Sequence, residues 1–575
     1  MKKHLLSLLM VLAFGLNSFA QMAMPIPMDP NVRYGKLDNG MTYYIRHNEK
    51  PDNRADFYIA QKVGSVLEEE NQRGLAHFLE HMAFNGTTNL PGMTLRNYLQ
   101  SRGVKFGENL NAYTAIDQTV YMVTNVQTDL PGLVDTCLLI LHDWSSFIAL
   151  EDAEIDNERG VILEEERTTG GANRRVMEQL LPKMYPGSPY GERLPIGTKE
   201  VIANFKYDEL RDYYKKWYRP DLQGLIIVGD IDVDAIEARI KEMFADIPAP
   251  VNPAERTQFM IEDNAEPIVA VASDAELTSY QLSIYNKHEA TPDSLKNDLN
   301  YWMAEYILSL ISQMQINRLQ ELVQKPNPPF VYGYSYYGDY YVAPTKEAWT
   351  SMAVANGVDG IDDAMTALVT ENKRMQQYGF TASEYERAKA DFMKSIESAY
   401  NERNNTENSK YFDACLDHFL TNEPMMGIET EYQLYQQIIP NLPLEAINQF
   451  ASQLIKNDNL VITLSAPKKD GETLPTEEEL LAMYNNANAM EVEPYQEEVF
   501  DGPIVPELPK PGTVKKETTN ETFGTTEWTL SNGMKVIYKQ TDFKEDEIRM
   551  SAYSPGGLTA LPQEDPYTLD RKSVV

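Results

Sequence analysis

Cysteine and histidine are scarce in this chain of 575 residues, with two of the first and seven of the second, and 51 basic side chains face 86 acidic ones. Each shortage excludes something. Cys137 and Cys415 alone cannot make a disulfide framework, so the fold rests on apolar cores even in an oxidising compartment, and the sequence leaves their pairing open. The formal net charge of −35 argues against nucleic acid and anionic membrane as partners, because both demand a basic surface. Its plain consequence is solubility. No stretch approaches the roughly 18 consecutive apolar residues of a membrane span. The short apolar run from Leu5 to Leu16 follows Lys2 and Lys3 and precedes Ser18-Phe19-Ala20. Residues 1–20 therefore read as a secretory signal peptide cut before Gln21, with no cysteine after the cut to carry a lipid.

What is present centres on residues 77–81, His-Phe-Leu-Glu-His, which set two of the seven histidines one helical turn apart. At i and i+4 the imidazoles of His77 and His81 leave the same face of a helix, and zinc takes imidazole nitrogen readily. Glu80 precedes the second histidine and so lies where it can take a proton from a metal-bound water. The order His-x-x-Glu-His is the inverted form of His-Glu-x-x-His. Leu75, Phe78, Leu79 and Met82 supply an apolar stripe that docks this helix on a core, and Asn85-Gly86 stops it. A buried amphipathic helix whose histidines only make hydrogen bonds is the bland alternative.

Length alone suggests about three or four domains. Short apolar runs such as Leu225-Ile226-Ile227-Val228 alternate with amphipathic stretches at Tyr207 to Tyr218 and Val233 to Phe244, an α/β mixture within one unit. A second unit begins near Pro267, with a strand at Ile268 to Ala272, long helices at Pro292 to Gln324 and Thr381 to Asn401, and a closing strand at Leu460 to Leu464. Tyr332 to Tyr341 holds six tyrosines, which suit either an aromatic hairpin facing a cavity or a tyrosine-rich strand pair, the second being favoured. Residues 466–525 are acidic and then proline-rich, a linker by composition, with its core at 491–525.

After the linker the sequence repeats itself. Thr529-Leu530-Ser531-Asn532-Gly533-Met534-Lys535-Val536-Ile537-Tyr538 has the pattern of Lys36-Leu37-Asp38-Asn39-Gly40-Met41-Thr42-Tyr43-Tyr44-Ile45, and Pro555-Gly556-Gly557 that of Val63-Gly64-Ser65. An Asn-Gly turn between two strands is a hairpin signal, and its return marks the start of a second half at 526–575. Arg571 to Val575 do not continue the repeat, which reads as a truncated or frameshifted open reading frame, with a half-size natural variant as the alternative.

Two histidines leave a catalytic zinc one protein ligand short. A carboxylate cluster downstream offers Glu154, Glu158, Glu164, Glu165 and Glu166, and chemistry alone does not choose among them. Glu158 and Glu165 are two turns apart on one helical face; a solvated acidic face accounts for Glu154, Glu164 and Glu166. With these motifs on the page, the chain resembles the pitrilysin and insulin-degrading metallopeptidase family, which also includes the mitochondrial processing peptidases. Asp156-Asn157-Glu158-Arg159-Gly160-Val161-Ile162-Leu163-Glu164-Glu165 is similar to the family's distal glutamate helix, and Asn111-Ala112-Tyr113-Thr114 to its strand beside the zinc. Gly191 to Gly197, Trp217-Tyr218-Arg219-Pro220 and Val228-Gly229-Asp230-Ile231 resemble the segments that close its catalytic domain.

The resemblance implies an α+β clamshell of repeated α/β sandwich domains, each a mainly antiparallel sheet packed with helices: a catalytic domain at 21–255, a non-catalytic homologue at 256–490, and the start of a third after the linker. It implies one zinc ion per chain held by His77, His81 and Glu165, with Glu80 as general base and Glu158 as a supporting carboxylate. Asn111, Ala112 and Tyr113 would pair with extended peptide substrates through the main chain. The expected protein is a periplasmic or secreted zinc endopeptidase of a Gram-negative bacterium, with a homodimer or a separate partner half left open. The alternatives are a non-catalytic structural or binding subunit of the same fold, or an inactive truncated fragment.

Overall fold

The computed structural model describes residues 25–456, 458–497, 502–503, 505–542 and 547–556. The expected signal peptide, Gly557 and Arg571 to Val575 lie outside them. The chain forms two compact units, one within residues 1–498 and one within 499–575.

The larger unit contains two sheets of the same design. The first is built from β1 (Val32–Lys36), β2 (Thr42–His47), β3 (Arg54–Gln61), β4 (Leu110–Thr114), β5 (Thr119–Gln127) and β6 (Gln223–Gly229), in the order β1-β2-β6-β3-β5-β4. Only β2 and β6 run parallel. The apolar run of β6 is buried along its whole length because both faces are covered. Leu225 and Ile227 join a core with Phe57, Ile59 and Leu141, while Ile226 and Val228 pack with Tyr44 and Tyr58 against Phe412, Leu416 and Phe419.

The second sheet comprises β7 (Ile268–Asp274), β8 (Tyr280–Glu289), β9 (Phe330–Tyr340), β10 (Ala343–Ala355) and β11 (Leu460–Pro467), ordered β7-β11-β8-β10-β9 with only β7 and β11 parallel. This is the arrangement β2-β6-β3-β5-β4 over again, so the α+β class of repeated, mainly antiparallel sheets holds. The tyrosine-rich segment, expected as a strand pair, is a single strand, β9, whose partner β10 carries no tyrosine. Helices used below are α1 (Leu75–Met82), α2 (Leu133–Ser146), α3 (Asp152–Thr169), α4 (Ala172–Met184), α5 (Val233–Met243), α6 (Leu299–Val323), α7 (Ile361–Tyr378), α8 (Ala382–Asn401), α9 (Asn408–Thr421) and α10 (Glu477–Ala489).

Two other expectations need correction. The helix expected from Pro292 to Gln324 breaks at Asn297-Asp298, because Asp298 turns its carboxylate onto the backbone N–H of Asn300 at 2.8 Å and starts α6 afresh. Residues 466–525 are not linker throughout. A capping box of Thr476 and Glu479 starts α10, and Leu480, Tyr484 and Ala487 at helical spacing enter the core of the second domain. Composition hid this helix because its other faces are acidic. Cys137 and Cys415 are both free and buried.

The smaller unit is a three-stranded antiparallel sheet of β12 (Val514–Asn520), β13 (Thr525–Leu530) and β14 (Lys535–Tyr538). Its β13–β14 hairpin reproduces β1–β2 in register: Glu527 stands opposite Ile537 as Tyr34 stands opposite Tyr44. The turns also agree. Leu37 N–H reaches Met41 O at 2.8 Å, as Leu530 N–H reaches Met534 O at 2.8 Å; Asn39 and Asn532 each accept from the N–H two residues on, at 3.1 and 3.0 Å. Gly40 and Gly533 take φ of +101° and +87°, which glycine adopts without a Cβ clash. Burial separates the two copies. Met41, Tyr43, Tyr44 and Ile45 are buried, whereas Met534 and Ile537 are 58% and 63% exposed.

Candidate metal centre

Helix α1 begins where Gly74 enters at φ +103°. The buried carboxylate of Glu68 accepts the N–H groups of Gly74 at 2.9 Å and Ala76 at 2.8 Å, satisfying two of the donors that a helix start leaves open. Burial pushes the Glu68 acid up to about 8, against the pull of those N–H groups and of Arg193 and Arg73. Gly197 packs against this corner so closely that a Cβ there would lie 2.3 Å from Gly74 Cα. The segment ending at Gly197 thus sets the position of the histidine helix. Leu75, Phe78, Leu79 and Met82 enter the core, and His77 and His81 lie on the helix's half-open side with ring centroids 4.7 Å apart.

Helix α3 packs against α1 through Ile155 and Ile162, and the glutamates seven apart both meet the histidines. One Glu165 oxygen stands 3.3 Å from His81 Nε2 and 3.7 Å from His77 Nε2. Ligand atoms about 2.1 Å from a tetrahedral zinc lie about 3.4 Å from one another, and the Glu165 oxygen stands near that distance from both imidazole nitrogens. Among the described residues this trio is the one grouping of three histidine, cysteine or carboxylate side chains whose ligand atoms all lie within 4.8 Å of one another.

Glu158 accepts from His81 Nδ1 at 2.7 Å and from Asn85 Nδ2 at 2.5 Å. A hydrogen bond at Nδ1 leaves Nε2 with its lone pair toward the trio, the usual way a carboxylate orients a metal-binding imidazole. Burial works against charge on His81, but the Glu158 bond and the carboxylates of Glu80, Glu158 and Glu165 outweigh it and raise its pKa. Glu158 is lowered in turn: burial opposes its charge, while His81, Asn85 and Arg96 favour it. His77 differs. Burial, with His81 beside it, pushes it down to about 3, so the ring is neutral, and its Nδ1 is buried without a partner. A neutral His77, a His81 whose Nδ1 is held by Glu158, and the Glu165 carboxylate together form a donor set that fits a zinc ion.

Glu80 is buried and accepts from Thr114 Oγ1 at 2.7 Å. Burial raises its pKa, Thr114 and His81 oppose, and Glu165 adds to the rise. Thr114 ends β4, which pairs with β5 on one side and with no strand on the other among the described residues. On that strand Asn111 is exposed and Ala112 and Tyr113 half-buried, and Asn111 Oδ1 accepts the N–H of Ala112 at 3.0 Å. All eight residues singled out from the sequence therefore fall on α1, α3 or β4.

Three contributors escaped the sequence reading. Asn85 serves as a helix stop but also holds Glu158; Thr114 was read only as part of a strand; Glu68 carried no signal, since its cap depends on a chain reversal before Gly74. The acidic face needs a correction too. Glu164 is exposed and paired with Arg167, but Glu166 is enclosed by Arg174 and Lys199, because the turn after α3 brings α4 back beside it.

A mixed α/β sandwich with inverted His-x-x-Glu-His helix and distal glutamates defines a class of metallopeptidase-like proteins, and comparison gives the family. Residues 44–195 match the insulinase family (peptidase family M16) and residues 204–392 the M16 peptidase inactive domain. The chain belongs to the M16, insulinase-like family. It is similar to a zinc protease PQQL-like protein of Arabidopsis thaliana, 32% identical over 537 residues that cover 92% of this chain and 52% of that protein. It is also similar to the probable zinc protease PqqL of Escherichia coli, 28% identical over 551 residues covering 94% and 58%. The crystal structure of the first half of the periplasmic protease PqqL from Escherichia coli superposes with a TM-score of 0.75 at 26% identity, over 82% of this chain and 100% of that one. The chain thus spans between half and three-fifths of the length of these curated relatives.

Proposed function

We propose that this protein is an exported zinc endopeptidase that hydrolyses peptides or unfolded polypeptide segments. The observation that carries the reading is the convergence of His77, His81 and Glu165 beside Glu80, with Glu80 tied through Thr114 to a free sheet edge. His77, His81 and Glu165 would hold one zinc ion, which would supply Lewis-acid chemistry toward the scissile carbonyl and acidify a nearby water. Glu80 takes the attacking water's proton and delivers it to the leaving amine; its raised pKa brings it toward the working pH, where a base is most effective. Glu158 holds the His81 ring and its tautomer. Extended substrate adds to β4 through its backbone at Asn111, Ala112 and Tyr113, displacing the Asn111 amide oxygen from the Ala112 N–H.

The names of the relatives, zinc proteases and in one case a periplasmic protease, support this activity and an export to the periplasm. No helix among the described residues is long and apolar enough to cross a membrane. The β13–β14 hairpin, with the turn and register of β1–β2, supports a third homologous domain beginning there.

The test is metal content and cleavage of a quenched unstructured peptide by the purified chain, with and without chelator. Glu80→Gln should keep its zinc and lose about 10²- to 10⁴-fold in turnover. Normal cleavage by that variant would remove Glu80 from its role, and wild type without zinc would favour a non-catalytic subunit.

A further inference from the structure

Of the three ligand positions, Glu165 is the one least held by apolar packing. The buried side chains of α3 are Ile155, Glu158 and Ile162, and beyond them only Leu163 meets the core, half-buried. Glu165 sits in the closing stretch of the helix, where carbonyls lack intrahelical partners and turns fray. Side chains take those carbonyls here. Thr169 Oγ1 donates to Glu165 O at 2.7 Å, Arg174 Nη1 to Glu166 O at 3.2 Å, and Arg175 Nη1 to the carbonyl of Gly170, the residue that caps the helix end.

Arg175 does a second thing with the same planar group. Its Nε and Nη2 grip the Asp274 carboxylate at 2.6 and 2.8 Å, and Nη2 reaches Glu276 at 2.6 Å. Asp274 ends β7 of the second domain and is itself fixed, accepting the N–H of Glu276 at 3.0 Å and, through its carbonyl, that of Lys468 at 2.9 Å. A guanidinium bound on two edges at once transmits position, which a lysine ammonium cannot do.

We infer that Arg175, Asp274 and Glu276 are positioning residues of the metal centre, by which the second domain holds the last turns of α3 and so places Glu165. The inference rests on the zinc reading of His77, His81 and Glu165. It gives the domain without ligands a part in metal binding.

The test uses the full chain with Arg175→Lys and Asp274→Asn, and with Lys183→Ala as control. Lys183 bridges the same two domains to Glu477 without touching the α3 corner. Zinc affinity is read by chelator competition and local opening by hydrogen exchange of residues 165–171. Both test variants should bind zinc about tenfold more weakly and exchange faster there, while the control matches wild type and KM for peptide stays unchanged as kcat falls. Affinity and exchange within twofold of wild type in both variants would overturn the inference, as would an equal loss in the control. If wild type binds no zinc, the metal reading fails and exchange alone decides: faster at 165–171 upholds the clamp, unchanged overturns it.

Discussion

The two domains of the larger unit share a strand order and a pair of facing helices, and they fill the space between those helices in opposite ways. In the first, α1 lies between β3 and β4 and meets α3; in the second, α6 lies between β8 and β9 and meets α8. Between α1 and α3 stand two imidazoles and two carboxylates, with the Glu165 side chain 35% exposed. Between α6 and α8 stands one closed ion pair, Arg318 gripping Glu384 at 2.6 and 2.9 Å and reaching Gly379 O at 2.9 Å, both side chains almost fully buried. A guanidinium has no lone pair to give and spends those of its partner, so the second pair holds helices together and can take no metal. One scaffold yields a candidate metal centre or a strut according to which side chains face across it.

The contrast can be broken or sharpened by substitution. The largest effect is expected in the first domain: His77→Ala should take zinc from one ion per chain to none and peptide cleavage to background, with the fold intact by circular dichroism. Retained stoichiometric zinc would remove His77 from the ligand set. In the second domain Arg318→Ala strands a buried carboxylate and should cost about 3–5 kcal/mol in urea unfolding, with zinc content unchanged. Adding Glu384→Gln, which keeps the cap on α8, should recover much of that loss; no recovery would mean that packing, not charge, accounts for it.

A smaller effect follows from Glu158→Gln, which removes the charge behind His81 and should weaken zinc binding about 10- to 100-fold with little change in Tm. Unchanged affinity would reduce Glu158 to a helix contact. The smallest effect is a pair of stability slopes. His142, although burial opposes its charge, is raised by Asp143 and Asp246, so its contribution is full below its ordinary 6.5 and is lost as pH rises through the raised value. His288 in the second domain is pushed down to about 4 by burial, so its contribution is full above 6.5 and is lost as pH falls toward 4. Replacing His142 by Gln should flatten the alkaline side of the urea-midpoint profile, and replacing His288 by Gln the acid side; the same slope in both variants would contradict the contrast.

Much of this was legible in residue order. Two histidines at i and i+4 share a helix face whatever the helix packs on, and Asn-Gly between strands makes the same turn at Gly40 and Gly533. Both are settled by backbone geometry within five residues. The choice of Glu165 among five clustered acids needed the resemblance, because it depends on how α3 (Asp152–Thr169) crosses α1 (Leu75–Met82), far earlier in the chain. The roles of Glu68, Asn85 and Thr114, the enclosure of Glu166 and the bridge from Arg175 to Asp274 were decided by tertiary structure alone. The contacts of Asn85, Thr114 and Arg175 join segments that only packing brings together, while those of Glu68 and Glu166 depend on chain reversals before Gly74 and after α3, and side-chain type carries no record of which partner these will supply.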